Sequence, residues 1–287
     1  MLDIVRTPFA RKVAASPERV GAGLTVLRAL PSEDLEAIGP FVFLDHMGPA
    51  VPPVGGVPAH PHAGIEVVTY MLHGSGEHRD SMGNHSAIEA GGAQWITSGS
   101  GMLHAEFPRG GADGLNHGVQ LWARQPEALD EAEPKYRAVE PGEIPTVALE
   151  RGKLRLVAGA YPGFHAAGPV ALASPALLMH LTLAPGGVYD AFRPEDFELG
   201  AYALAGAADI DGAALAKGEI ALLTPAERTS IANPYARPLE LLLLGGEPAK
   251  RPLVFRGPFV FGDSKRIARA YEDYARGRMG RLDGAPF

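Results

Sequence analysis

Glycine and proline interrupt this chain so often that only its tail has room for a sustained helix. There are 36 glycines and 26 prolines among 287 residues, far more than a helical bundle tolerates and natural for short strands joined by tight turns. Between the interruptions stand runs rich in β-branched and aromatic residues, such as Phe41-Val42-Phe43-Leu44, Val67-Val68-Thr69-Tyr70-Met71-Leu72 and Ala93-Gln94-Trp95-Ile96-Thr97. Turn signals follow at Gly74-Ser75-Gly76, Met82-Gly83-Asn84 and Gly91-Gly92. Strands of this length, spaced this regularly, predict an all-β sandwich or barrel.

The same layout returns in the second half, through Leu154 to Gly159, Leu177 to Leu183 and Leu239 to Leu244. A duplicated barrel is therefore expected, with residues 1–145 forming the first copy and 146–287 the second. The charged, proline-punctuated stretch from Pro126 to Pro145 reads as the crossing between them. At the tail, Asp263-Ser264 offers N-cap residues, and Lys265 to Arg276 carries Ile267, Ala270, Tyr271 and Tyr274 at helical spacing before Gly277. A C-terminal helix follows from that pattern.

Composition removes several function classes. The chain has no cysteine, which rules out disulfides, thiolate catalysis and cysteine-ligated metal. A net charge of −7 gives no basic footprint for nucleic acid. No apolar run approaches a membrane span, and the opening residues Met1 to Pro8 lack the apolar core of a signal peptide. A cytoplasmic protein is expected.

The chemistry concentrates between Ala59 and Pro108. His60-Pro61-His62 and His104-Ala105-Glu106 each place two donors two residues apart, so that on an extended strand both members of a pair face the same way. Two such strands would bring four ligands, His60, His62, His104 and Glu106, to one first-row divalent metal. The second half of the chain holds no such pair. Phe43 and Met47 are candidate pocket walls. Ser98 and Ser100 beside His104 do not make a hydrolytic dyad, because no acid is placed to orient the histidine. His46, His73, His78, His85, His117, His165 and His180 are expected to be hydrogen-bonded barrel or loop residues.

Together these motifs resemble the pirin family of bicupins. The resemblance rests on Phe43-Leu44-Asp45-His46, His60-Pro61-His62, Glu77-His78-Arg79-Asp80-Ser81, Gln94-Trp95-Ile96-Thr97, Gly101-Met102-Leu103-His104-Ala105-Glu106, Gln120-Leu121-Trp122 and Gly257-Pro258-Phe259-Val260. It implies two cupin-type, jelly-roll barrels face to face, with a mononuclear metal in the first, held by His60, His62, His104 and Glu106. Iron, as Fe(II), is the usual ion in the family; Zn, Ni, Cu, Mn or Co would suit the same donors. The general cupin pattern also nominates Glu66, but Gly64 is placed to bulge the strand and break the count, so Glu106 is preferred. Ala63 stands where the family often has arginine. The resemblance further implies a dioxygenase that cleaves a flavonol such as quercetin with O2, Glu106 serving as the base. The alternative is a non-catalytic regulator, a redox sensor whose metal governs binding to a protein partner.

Overall fold

The structure, a computed structural model, describes residues 7–21 and 23–282. Its strands form two antiparallel barrels, each made of a seven-stranded sheet and a four-stranded sheet. In the first barrel the large sheet is centred on Ile65–His73, Asn116–Arg124 and Phe41–Ala50. Its small sheet runs in the order Val57–His62, Met102–Arg109, Ser75–Asp80 and His85–Glu89. In the second barrel the large sheet is centred on Ala176–Leu183, Leu239–Gly246 and Glu198–Ala205.

The two large sheets pack against each other, and strand alternation decides what each face carries. Along Asn116–Arg124, Val119, Leu121 and Ala123 point into the layer between the barrels, where they meet Leu178, Tyr202, Leu242 and Leu244 of the second barrel. The alternate residues Gln120 and Trp122 line a pocket inside the first barrel. This period of two lets one strand serve both a dry interface and a working cavity. Among the described residues the second barrel has no cluster of three histidines or carboxylates. Its interior is filled by Leu156, Met179, Leu181, Ala201, Leu241 and Leu243, all fully buried.

Segments from the two ends of the chain are exchanged between barrels. Phe9–Ala14 adds to the edge of the second barrel by pairing with Glu219–Leu223. The C-terminal segment returns to the first barrel, where Phe259 bridges to Ala63 and packs with Phe261, Ile267, Ala270 and Met279. The stretch expected to cross between barrels also contributes Lys135–Val139, paired with Ala93–Thr97 at the edge of the first. In each case a strand edge has unpaired backbone groups that the exchanged segment satisfies.

The expected helix forms as Ser264–Ala275. The Asp263 side chain accepts from the backbone N–H groups of Lys265 and Arg266, and Gly277 follows at φ +70°. Only Ile267 and Ala270 are buried; Tyr271 and Tyr274 stay exposed. The helix arginines form ion pairs, Arg266 with Asp130 and Glu131, and Arg269 with Glu131 and Asp273.

Candidate metal centre

Two neighbouring strands of the small sheet build the site. Met102–Arg109 pairs antiparallel with Val57–His62 in a register that sets His104 opposite His60 and Met102 opposite His62. The ring centroids of His60, His62 and His104 lie 4.3–4.9 Å apart. One nitrogen from each falls within 4.8 Å of the others, and this is the only such cluster of three histidines or carboxylates among the described residues.

Two of the imidazoles are fixed in tautomer by carbonyls behind them. His60 Nδ1 lies 2.8 Å from the Pro58 carbonyl, and His62 Nδ1 lies 3.0 Å from that of Pro258. A carbonyl only accepts, so both Nδ1 atoms carry the proton and both Nε2 lone pairs face inward. His62 Nε2 is buried and has no partner, while His60 Nε2 and His104 Nε2 stand 2.9 Å apart. Buried polar atoms normally find partners; a cation among these nitrogens would satisfy them at once. Burial pushes His62 down to about 3, with His60 adding to the effect, and holds His104 well below the usual imidazole range. Both are neutral at ordinary pH, the state a metal requires. The residues fit a single divalent ion.

The third strand position of the pattern behaves differently. A register shift in the pairing with Val57–His62 separates His104 from Glu106, and the Glu106 carboxylate turns to the large sheet. Gln94 Nε2 donates to its Oε1 at 2.6 Å, Gln120 Nε2 to its Oε2 at 2.9 Å, and Thr69 Oγ1 stands 3.4 Å from Oε1. The structure thus brings together three of the four expected ligands and holds the fourth beside them on a clamp of neutral donors.

Parity puts Glu66 on the opposite side of its strand from the pocket. Gly64 takes φ +79°, and there the chain leaves the small sheet for the large one. In Ile65–His73 the residues Val68 and Tyr70 face the inter-barrel layer, and Glu66 shares their side. Its carboxylate accepts from Trp95 Nε1 at 3.0 Å and from the Ala173 backbone N–H of the second barrel at 2.9 Å. Burial raises its pKa, these hydrogen bonds opposing.

Gln94 and Gln120 belong to motifs that carry the family resemblance, but the sequence reading gives them and Thr69 no role at the site, though a signal exists. Each is a polar residue inside an apolar strand run, and a buried carboxamide needs a polar partner. The other histidines fall where expected of barrel residues. His46 Nε2 meets His117 Nε2 at 2.7 Å and its Nδ1 meets Tyr202 Oη at 2.9 Å, while His180 Nδ1 stands 3.1 Å from Tyr70 Oη. These three histidines lie between the barrels or at the rim of that layer, whereas His78 is buried in the small sheet, its ring centroid 5.5 Å from that of His104 and its Nε2 3.1 Å from Asp80.

A cavity of about 370 Å³ opens beside the imidazoles, reached by His60, His62 and Glu106 and walled by Phe43, Met47 and Trp122. That volume is in the range of sites for small organic ligands. Gly257 and Pro258 of the C-terminal segment complete its lining.

Comparison with known families bears directly on this arrangement. Residues 23–123 match the pirin family model, and residues 178–280 match that of the pirin C-terminal cupin domain. The chain belongs to the pirin family. Pirin-1 of Arabidopsis thaliana is 33% identical over 275 residues, covering 94% of this chain and 93% of that protein. A pirin-like protein of Caulobacter vibrioides is 36% identical over 260 residues, 88% of each. A crystal structure of quercetin 2,3-dioxygenase from Acinetobacter baumannii superposes with a TM-score of 0.86 at 30% identity, covering 98% of this chain and 99% of that one. The two-barrel cupin fold and the pirin assignment inferred from the motifs are thus both borne out. Among the described residues no helix is long and apolar enough to cross a membrane.

Proposed function

We propose that this pirin is a mononuclear, iron-dependent dioxygenase that cleaves a flavonol such as quercetin. The observation that carries the proposal is the convergence of three imidazoles, two of them locked with Nε2 inward, at the edge of a cavity lined by Phe43 and Trp122. Likeness to the Acinetobacter quercetin 2,3-dioxygenase supports the substrate class. His60, His62 and His104 would hold the ion, and Glu106 would supply a fourth donor on turning from its amide clamp. When bound there, a divalent iron supplies Lewis acidity toward a substrate oxygen and a redox partner for O2.

The chain's own groups do the rest. Phe43 and Trp122, stacked with centroids 4.0 Å apart, line the cavity as an apolar wall that excludes water. Glu106 Oε1 lies within bonding reach of both carboxamides, whereas Oε2 receives Gln120 alone. Oε2 therefore keeps a lone pair for the enolic proton of the flavonol, and Glu106 is the base. Gln94 and Gln120 hold the carboxylate at the pocket without neutralising it.

Protein loaded anaerobically with Fe(II) should consume O2 on addition of quercetin, and both metal-free protein and His62→Ala should not. Equal O2 uptake with and without metal would refute the proposal. No uptake by the loaded protein across a panel of flavonols would leave the site without the proposed activity.

A further inference from the structure

A ladder of flat groups runs from the metal site to one cation. The His62 ring meets the Trp122 ring edge-on at 4.8 Å, Trp122 stacks on Phe43, and the Arg28 guanidinium lies 4.4 Å above the Phe43 ring centroid. Arg28 and His62 line the same cavity and are separated by two rings. Arg28 stands on Leu24–Leu30, opposite Asp45 in the neighbouring strand.

Arg28 is held rigidly and keeps one nitrogen in reserve. Its Nε and Nη2 donate to the two carboxylate oxygens of Asp45, each at 2.8 Å. Asp45 is 5% exposed, and the Arg28 side chain is 25% exposed. Nη1 has no protein partner among the described residues. A fork seated on a buried carboxylate and an aromatic face loses little further freedom on binding, so its remaining N–H groups are presented at low entropic cost. Because Asp45 already balances the charge, the free edge suits a neutral or weakly acidic oxygen, such as a phenol, better than a full anion.

We infer that Arg28, oriented by Asp45, is a specificity-determining residue that hydrogen-bonds a phenolic oxygen at the end of the substrate remote from the imidazoles. The preferred ligand is then a planar aromatic with oxygen functions at both ends, not at the metal-facing end alone. This rests on the flavonol reading proposed above and adds which flavonols the pocket selects.

The test compares quercetin, which bears hydroxyls on its pendant ring, with galangin, which bears none there and is otherwise the same. Dissociation constants are measured by anaerobic calorimetry on metal-loaded protein, so that binding is read without turnover. Wild type should prefer quercetin by about tenfold, the worth of one hydrogen bond to a charged group. Arg28→Met should erase most of that preference. Arg28→Lys guards against a folding defect: it keeps a cation for Asp45 but has no second nitrogen to spare, and should lose the preference as well. Retention of the wild-type preference in a folded variant of either kind overturns the inference. Equal binding of both compounds by wild type overturns it too while leaving the flavonol reading intact. Failure of wild type to bind either compound removes both.

Discussion

Glu106 is surrounded by donors that carry no charge, and this sets how it can act. Arginine or lysine in place of Gln94 or Gln120 would pair the carboxylate with a cation; two carboxamides orient it through hydrogen bonds alone. Gln120→Leu should therefore lower flavonol turnover by about ten- to a hundredfold, as losses of ligand-supporting hydrogen bonds generally do. The His60, His62, His104 cluster should still bind metal, so metal content by mass spectrometry stays unchanged. Loss of the metal in that variant would mean that the amide clamp builds the metal site itself. The histidines were legible in the sequence because a period of two needs only neighbours along one strand. The clamp was not, since Gln94 and Gln120 reach Glu106 from separate strands of the facing sheet. Glu66 fell between these cases: its fate depended on Gly64, whose positive φ resets the alternation on which the count relied.

At the scale of elements, the turn at Gly64 joins the two sheets of the first barrel and seats the C-terminal segment. A Cβ at Gly64 would stand 2.4 Å from the Val260 carbonyl oxygen, within the segment whose Pro258 carbonyl fixes His62. Gly64→Ala should cost about 1–2 kcal/mol for the left-handed backbone alone. Displacing the segment should also weaken metal binding. Gly83 is the control, at φ +89° with nothing within 4 Å of its Cβ position. Gly83→Ala should lose a similar backbone increment in a denaturant titration and keep its metal affinity. If both variants bind metal as wild type does, the C-terminal segment is not what orients His62. Strand positions and the capped helix were readable from turn residues and spacing. The exchanged ends were not, because Phe9–Ala14 finds its partner Glu219–Leu223 at the far end of the chain, and edge pairing at such separation leaves no local pattern.

For the whole molecule, the layer between the barrels is apolar but contains histidines that must stay neutral. Burial holds His46 and His180 down to about 3 and His117 to about 4, with Lys217 adding at His46 and His117, and Arg155 and Lys153 at His180. The unfolded chain protonates each near 6.5. It then binds more protons than the folded protein, so stability is full above about pH 6.5 and declines as pH falls from there toward 3–4. The slope approaches about 1.4 kcal/mol per pH unit for each histidine. The melting temperature should accordingly change little between pH 7.5 and pH 6.5 and drop between pH 6.5 and pH 5, and His180→Gln should make that decline shallower. A melting temperature that is flat over this interval would show that the layer admits protons without opening.

The duplicated architecture was visible in the repeated strand layout. The specialisation of the first copy comes down to three imidazoles aimed at one point. Anomalous scattering from crystals of metal-loaded protein measures this most directly. One peak at about 2.0–2.2 Å from Nε2 of His60, His62 and His104 together is the result expected. A peak elsewhere on the chain, or no ordered ion while these nitrogens hydrogen-bond one another, would contradict it.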